Sequence, residues 1–254
     1  MISIVSVYNK KDIFDSVLAR GLSCQSVPFE LIALDNSQGQ YAAVADALNA
    51  GGKIAKGKYI MFIHQDVFLP SSTWLCDVEK ILDRVPHLGV AGIWGGVREG
   101  GGEFDSHLLG HVKSGSDVLG NPISAPISVQ VVDELLFIVS QEVFSQIQFD
   151  SETFDFIHFI ATDYCVRVAE LGLGVYVIPA YVEHRSTGNF YDIDRYRLRL
   201  ALKHWGNLPI FTTCGEVSLR RLPKIFVLAL LPRKVNSFLR RIKFSLRKRF
   251  GRDL

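Results

Sequence analysis

Tyr59-Ile60-Met61-Phe62-Ile63 is an unbroken apolar run that stops abruptly at His64-Gln65-Asp66. A short run with no polar alternation suits a strand covered on both faces, the position of a central strand in a parallel sheet. In open α/β sheets the crevice beyond the carboxyl ends of the strands is where ligands bind. A carboxylate and an imidazole at that place suit a divalent cation that also takes oxygens from a substrate diphosphate. By itself the tripeptide reads sooner as a turn capped by Asp66 with His64 a satisfied edge residue, and the rest of the chain reverses that.

Residues 1–95 alternate strand and helix. Strands are expected at Ile2–Val7, Phe29–Leu34, Tyr59–Ile63 and Leu88–Trp94. Helices are expected from Asp12 to before Gly21, from Tyr41 to Asn49 with Gly51-Gly52 as a stop, and from a Ser71 or Ser72 cap to about Asp83. This alternation implies crossover connections and a parallel, twisted sheet. Three strands end in polar clusters: Tyr8-Asn9-Lys10, Asp35-Asn36-Ser37 and His64-Gln65-Asp66. If the strands are parallel neighbours, the clusters share one sheet edge. They would offer an aromatic face for a base, a carboxylate for base or ribose, and a metal carboxylate for phosphates. Neither the dinucleotide fingerprint G-x-G-x-x-G nor the P-loop G-x-x-x-x-G-K occurs, which argues against a dinucleotide dehydrogenase and a P-loop NTPase.

Residues 96–128 read as irregular, and the Arg98 to Gly102 stretch is either a lid or a solvated loop. An apolar run, Leu135–Val139, precedes a helix start at Ser140-Gln141-Glu142. A helix is expected from Thr162 to Leu171 with Asp163 in its first turn, then a strand Val175–Ile178 leading to Glu183-His184-Arg185. His158 and Trp94 read as packing residues. Cys24, Cys76, Cys165 and Cys214 form no C-x-x-C pair, and reduced thiols in a cytosolic protein are expected. The chain opens directly on a strand and lacks a signal-peptide layout.

The ordered set V-S-V-Y-N-K, L-D-N-S, A-K-G-K-Y-I-M-F-I-H-Q-D-V, F-D-F-I-H-F-I-A-T-D-Y-C-V-R-V-A-E-L-G and V-E-H-R-S-T-G resembles family 2 glycosyltransferases, in the branch with H-Q-D-V in place of D-x-D. The resemblance covers residues 1 to about 190. It implies an α/β, Rossmann-like, mostly parallel sheet flanked by helices, of GT-A type. It also implies inverting sugar transfer from a nucleotide-diphosphate sugar donor with Mg²⁺ or Mn²⁺. Carried over by position, Tyr8 resembles the aromatic that stacks on the base and Asp35 the acid that reads base or ribose. Asn9, Asn36 and Ser37 complete the nucleotide-sugar cluster. His64 takes the first position of D-x-D, and Asp66 takes the last, which binds metal and diphosphate. His184 resembles the histidine that completes that site. Asp163 is the candidate catalytic base. The sequence departs from the family at Ala161, where a first acid is expected. Asp163 could therefore only cap its helix, while Asp155, Asp133 or Glu134 deprotonates the acceptor.

The charge is uneven. Of 28 Lys and Arg, 12 lie in residues 216–254 with only 2 acids, leaving 16 basic and 24 acidic groups before them. Two regions are expected: a catalytic domain, 1–190, and a basic helical extension, 191–254. The seven-residue apolar run Ile225–Leu231 is far short of the roughly 20 residues of a bilayer span. Beyond Pro232, Val235, Phe238, Leu239, Ile242 and Leu246 fall on helical spacing among basic residues, the pattern of an interfacial helix on an anionic membrane surface. A helix packed on the acidic body is the alternative; no nucleic-acid motif accompanies the basic residues. The expected setting is the inner face of the cytoplasmic membrane. A lipid-linked saccharide acceptor on a polyprenyl diphosphate, in O-antigen, capsule or lipopolysaccharide synthesis, fits there. Rival readings are a sugar-phosphate nucleotidyltransferase and a catalytically silent nucleotide-binding membrane-surface protein.

Overall fold

The computed structural model describes residues 1–97, 107–185 and 192–231. The chain forms two compact units: Met1–Thr187 together with Ile210–Glu216, and Gly188–Pro209 together with Val217–Leu254.

In the first unit the strands β1 (Ile2–Tyr8), β2 (Glu30–Asp35), β3 (Tyr59–Ile63), β5 (Leu88–Gly92), β9 (Ile127–Ser128), β11 (Leu136–Ser140) and β12 (Gly174–Val177) build one sheet in the order β2-β1-β3-β11-β5-β12-β9. β1 runs parallel to both β2 and β3, and β12 runs parallel to β5. β11 lies antiparallel between β3 and β5. The parallel expectation is thus met in most of the sheet and broken at its centre. All of Leu136–Val139 is buried, so the run carries no alternation from which its direction could be read.

A second sheet has the order β10-β6-β7-β13-β4, built from β4 (Val67–Phe68), β6 (Trp94–Gly96), β7 (Leu108–Ser114), β10 (Val131–Val132) and β13 (Tyr181–His184), with β8 (Asp117–Leu119) on β7. Two segments depart from the pattern expected of them. The strand expected over Leu88–Trp94 is split at Ile93, and its halves serve different sheets. The stretch 96–128, read as irregular, contains β7, which alternates buried Leu108, Gly110 and Val112 with more exposed Leu109, His111 and Lys113. Its glycines and polar residues masked that period.

β3 divides its side chains between two cores. Tyr59, Met61 and Ile63 join Ile4, Leu18, Leu75, Val78 and Ile138 on one face. On the other, Phe62 stacks on Phe137 at 5.2 Å and meets Phe149 edge-on at 4.9 Å, and Phe149 packs on Tyr164 at 4.9 Å. Each large side chain buried this way stabilises by roughly 1.5–3 kcal/mol. The Tyr164 hydroxyl also donates to the Ile147 carbonyl at 3.0 Å, which fastens the helix Ile160–Glu170 over this face.

The helix Val44–Ile54 runs through Gly51-Gly52 rather than stopping there. A Cβ at Gly51 would lie 2.4 Å from Val5 Cγ1, and one at Gly52 2.3 Å from Phe144 Cζ. Close approach to β1 at Gly51 and to the helix Gln141–Gln146 at Gly52, not chain termination, is what these glycines allow. Ser140 caps the helix Gln141–Gln146, its hydroxyl accepting from Val143 N–H at 3.1 Å. The helix Trp74–Leu82 starts after Thr73, one or two residues later than a Ser71 or Ser72 cap, and buries Trp74, Leu75, Val78 and Leu82.

In the second unit the helices Ile193–Lys203 and Leu222–Leu230 pack together, with Arg195 Nε donating to the Ala229 carbonyl at 3.3 Å. Pro223 sits in the first turn, where its missing N–H costs nothing. Leu219, Phe226, Val227 and Leu230 are exposed. No described helix is long and apolar enough to cross a membrane. The stripe from Val235 to Leu246 lies outside the described residues.

Candidate active site

The parallel pairing of β2, β1 and β3 sets the three polar strand ends side by side, with Tyr8 directly opposite Asp35. The Tyr8 ring stacks on Phe14 at 4.7 Å and 24°. Desolvation and the adjacent Asp35 charge push the Tyr8 hydroxyl above the usual tyrosine range. Asp35 is held below the usual carboxylate range by the N–H and hydroxyl of Ser37, with help from Tyr8. Its Oδ1 accepts from Ser37 N–H at 2.8 Å. The Asn36 side chain serves its own loop, accepting from Tyr41 N–H at 2.8 Å and donating to the Tyr41 carbonyl at 3.3 Å. Asp35 therefore stays ionised and exposed, while Asn36 and Ser37 shape the turn around it.

Gln65 joins the first and third strand ends. Its Oε1 accepts from the backbone N–H groups of Asn9 and Lys10 at 3.1 and 3.0 Å. The sequence places Gln65 between two candidate ligands without indicating this clamp.

His64, Asp66 and His184 come together although His184 is 118 residues beyond Asp66. After β3 the chain turns through a bond from Val67 N–H to the His64 carbonyl at 3.3 Å and enters β4. β4 pairs antiparallel with β13, so that Val67 faces His184, and Arg185 N–H donates to the Asp66 carbonyl at 2.9 Å. One ligand atom from each of the three residues lies within 4.8 Å of the others. His184 Nε2 is 3.4 Å from Asp66 Oδ1, and the two side chains are 12% and 17% exposed, sheltered yet reachable. Burial lowers the His64 pKa, which keeps that imidazole neutral and able to donate a lone pair. Burial acts the same way on His184, but the Asp66 hydrogen bond and the charges of Asp66 and Asp133 outweigh it and raise its pKa.

Two imidazoles and one carboxylate, their ligand atoms within 4.8 Å of one another, form a donor set that fits a divalent ion.

Four further acids surround this site or its neighbouring helix. Asp133 Oδ1 accepts from Leu135 N–H at 3.0 Å, and its Oδ2 accepts from the Thr213 hydroxyl. Thr213 lies in the returning segment Ile210–Glu216, which no motif identified. Asp163 is 1% exposed, and its Oδ2 accepts from Arg167 Nε at 2.8 Å. Arg167 Nη2 donates onward to the Gln148 carbonyl at 2.8 Å. The i, i+4 spacing of Asp163 and Arg167 was the available signal for this pair. Asp155 is exposed. Glu134 faces the backbone N–H of Phe159, and burial, then the Asp133 charge, push its carboxyl up to about 8. Phe159 precedes the helix Ile160–Glu170 with φ of +63°, a left-handed conformation costly for a bulky residue. His158 is buried against Phe156 and Phe159, as a packing residue would be. The Arg98 to Gly102 stretch, and Ser186 to Gly188, lie outside the described residues.

Sheet order and polar strand ends together define a class, the GT-A fold. Residues 3–188 match the glycosyltransferase-like family, of family 2 type, and the chain belongs to it. Solved structures share the fold at low identity. The Staphylococcus aureus protein TarS, residues 1–349, superposes with a TM-score of 0.51 at 17% identity, over 79% of this chain and 65% of that one. The mannosyltransferase PcManGT from Pyrobaculum calidifontis, in complex with GDP-Man and Mn²⁺, gives 0.52 at 13% identity, over 99% and 76%. GalNAc-T7 with UDP, GalNAc and Mn²⁺ gives 0.54 at 10% identity, over 73% and 44%. The chain thus spans less than two thirds of the length of TarS 1–349 and of GalNAc-T7. No curated protein sequence matches the chain.

Proposed function

We propose that the protein is an inverting, metal-dependent glycosyltransferase. It moves a sugar from a nucleotide-diphosphate donor to a lipid-linked saccharide at the inner face of the cytoplasmic membrane, in surface-polysaccharide synthesis such as O-antigen, capsule or lipopolysaccharide. The observation that carries this reading is the convergence of His64, Asp66 and His184 beside the strand ends that carry Tyr8 and Asp35. UDP and GDP-Man, with Mn²⁺, are present in structures of the same fold.

Tyr8 offers its ring to the base, and Asp35 accepts from base or ribose. Gln65 holds the Asn9-Lys10 backbone against the third strand end, so the two halves of the nucleotide site move as one. Asp66, His64 and His184 would hold Mn²⁺ or Mg²⁺, which when bound offsets the charge developing on the departing diphosphate. The acceptor hydroxyl must give its proton to a carboxylate as it attacks the anomeric carbon from the opposite side. Asp163 is the acid suggested by family position, and Glu134 faces the start of the same helix.

Membrane association is supported by the exposed Leu219, Phe226, Val227 and Leu230 beside Arg220, Arg221 and Lys224, and by the basic residues that follow in sequence. Replacing Phe226, Val227 and Leu230 by Ser should abolish co-sedimentation with anionic vesicles; unchanged sedimentation would remove the membrane from the proposal.

The direct test of the reaction is nucleoside-diphosphate release from UDP- and GDP-sugars, with and without EDTA. Release should need the metal and disappear in Asp66→Ala. Ala161, where related chains carry an acid, favours a second reading, a silent nucleotide-binding relative. Such a protein would bind UDP or GDP yet never release either from a sugar donor.

A further inference from the structure

We propose that Glu134 is the catalytic base of this enzyme, taking over the proton-accepting role of the acid that is missing at Ala161. The inference rests on the transferase reading above and adds to it the residue that activates the acceptor.

Position is the first argument. Glu134 immediately precedes Leu135, whose carbonyl accepts from His64 N–H at 3.0 Å where β3 ends. The residue is therefore built into the same strand ends that hold the metal-ligating trio. Its carboxylate also faces Phe159 N–H, at the N-terminus of the eleven-residue helix Ile160–Glu170 and two residues before Ala161. Ala161 is fully buried and brings only a methyl group to the place where an acid is expected.

Availability is the second. Asp133 is committed to Leu135 N–H and Thr213, and Asp163 to Arg167. Glu134 Oε1 is buried and has no hydrogen-bond partner among the described residues. Buried polar atoms are nearly always satisfied, and exceptions call for a functional explanation. An acceptor hydroxyl seated beside the strand ends would supply that partner. The left-handed Phe159 backbone fits the same account, since the strained residue is the one whose N–H faces the carboxylate.

Protonation is the third, and it depends on the first two. Burial acts first on Glu134, then the Asp133 charge beside it, and the N–H groups of Glu134 itself and of Phe159 oppose them. On the facing helix Cys165 lies within its field, a thiol that burial pushes up to about 12 and so keeps neutral. A carboxyl poised near 8 is basic enough to accept a proton from an alcohol as the C–O bond forms.

In the step, the acceptor O–H proton moves to Glu134 while the acceptor oxygen bonds to the anomeric carbon. The bond from that carbon to the diphosphate oxygen breaks, and the nucleoside diphosphate leaves with the electron pair. Glu134 then returns its proton to solvent. Asp163 acts as a positioning residue, tying the helix start to Arg167.

The test uses the full chain with Mn²⁺, UDP-GlcNAc and GDP-Man as donors, and membrane extract as acceptor source. Glu134→Gln should lower kcat by about 10²–10⁴-fold with donor KM and UDP-dependent thermal stabilisation unchanged. Glu134→Asp should recover at least tenfold over Glu134→Gln and move the acidic limb of the pH–rate profile. Wild-type kcat in Glu134→Gln would overturn the assignment while leaving the transferase reading intact. If Glu134→Gln does not fold, an unmoved acidic limb in Glu134→Asp overturns it instead. A wild-type protein that binds UDP but consumes neither donor overturns both the assignment and the reading beneath it.

Discussion

Gln65 and Asn9 hold each other at two points: Gln65 Nε2 donates to Asn9 Oδ1 at 2.9 Å, and Gln65 Oε1 accepts from Asn9 N–H at 3.1 Å. With the bond from Lys10 N–H, three contacts join the ends of β1 and β3. Gln65→Leu keeps the volume and removes all three. Because Asn9 and Lys10 are exposed, water replaces part of the loss, and the expected cost is about 1 kcal/mol of stability. Nucleotide binding should suffer more visibly, with the Kd for UDP or GDP rising several-fold in a calorimetric titration.

Removal of a ligand from the His64, Asp66 and His184 group separates metal binding from folding. Wild type should gain thermal stability as Mn²⁺ is added, because an ion that binds only the folded state stabilises by mass action. Asp66→Ala should lose that gain entirely, and His184→Ala should shift its midpoint at least tenfold toward higher Mn²⁺. In EDTA the variants should melt within a few degrees of wild type, because none of the three residues lies in the fully buried core.

Glu134 gives stability a pH dependence whose sign follows from linkage. Its carboxyl titrates at about 8 in the folded protein and near 4.5 when unfolded. Between these values the native state holds a proton that the unfolded state has released. This contribution is fully present below pH 4.5 and is lost as pH rises toward 8. Denaturant titrations across this range should show Glu134→Gln flattening the decline, and the variant should be more stable than wild type at pH 8 by up to a few kcal/mol.

Gly52→Ala should destabilise by about 1–3 kcal/mol, since its new Cβ would overlap the Phe144 ring that backs Phe62. Gly206→Ala is the control: its Cβ would meet nothing within 4 Å, and its melting temperature should match wild type.

Much of this architecture is legible in the sequence because local patterns report local burial. The bare run Tyr59–Ile63 announces a strand covered on both faces, and all five residues are buried. Trp74, Leu75, Val78 and Leu82 mark the inner side of their helix, and Ser140 marks a helix start. The Gly51-Gly52 pair misleads, since glycine at a stop and glycine at a close contact look the same in one dimension. Ile93 is likewise an ordinary apolar residue in sequence, yet one sheet ends and another begins there.

Local pattern carries the α/β alternation, the polar residues at three strand ends and the family to which the chain belongs. Tertiary structure alone decided that β11 runs antiparallel through the centre, that β13 brings His184 to Asp66, and that Thr213 reaches Asp133. It also decided that Asp163 is held by Arg167 while a Glu134 oxygen is left without a partner. The physical reason is that periodicity encodes which face of an element is buried, whereas strand direction and long-range pairing follow from packing that single-segment patterns do not contain.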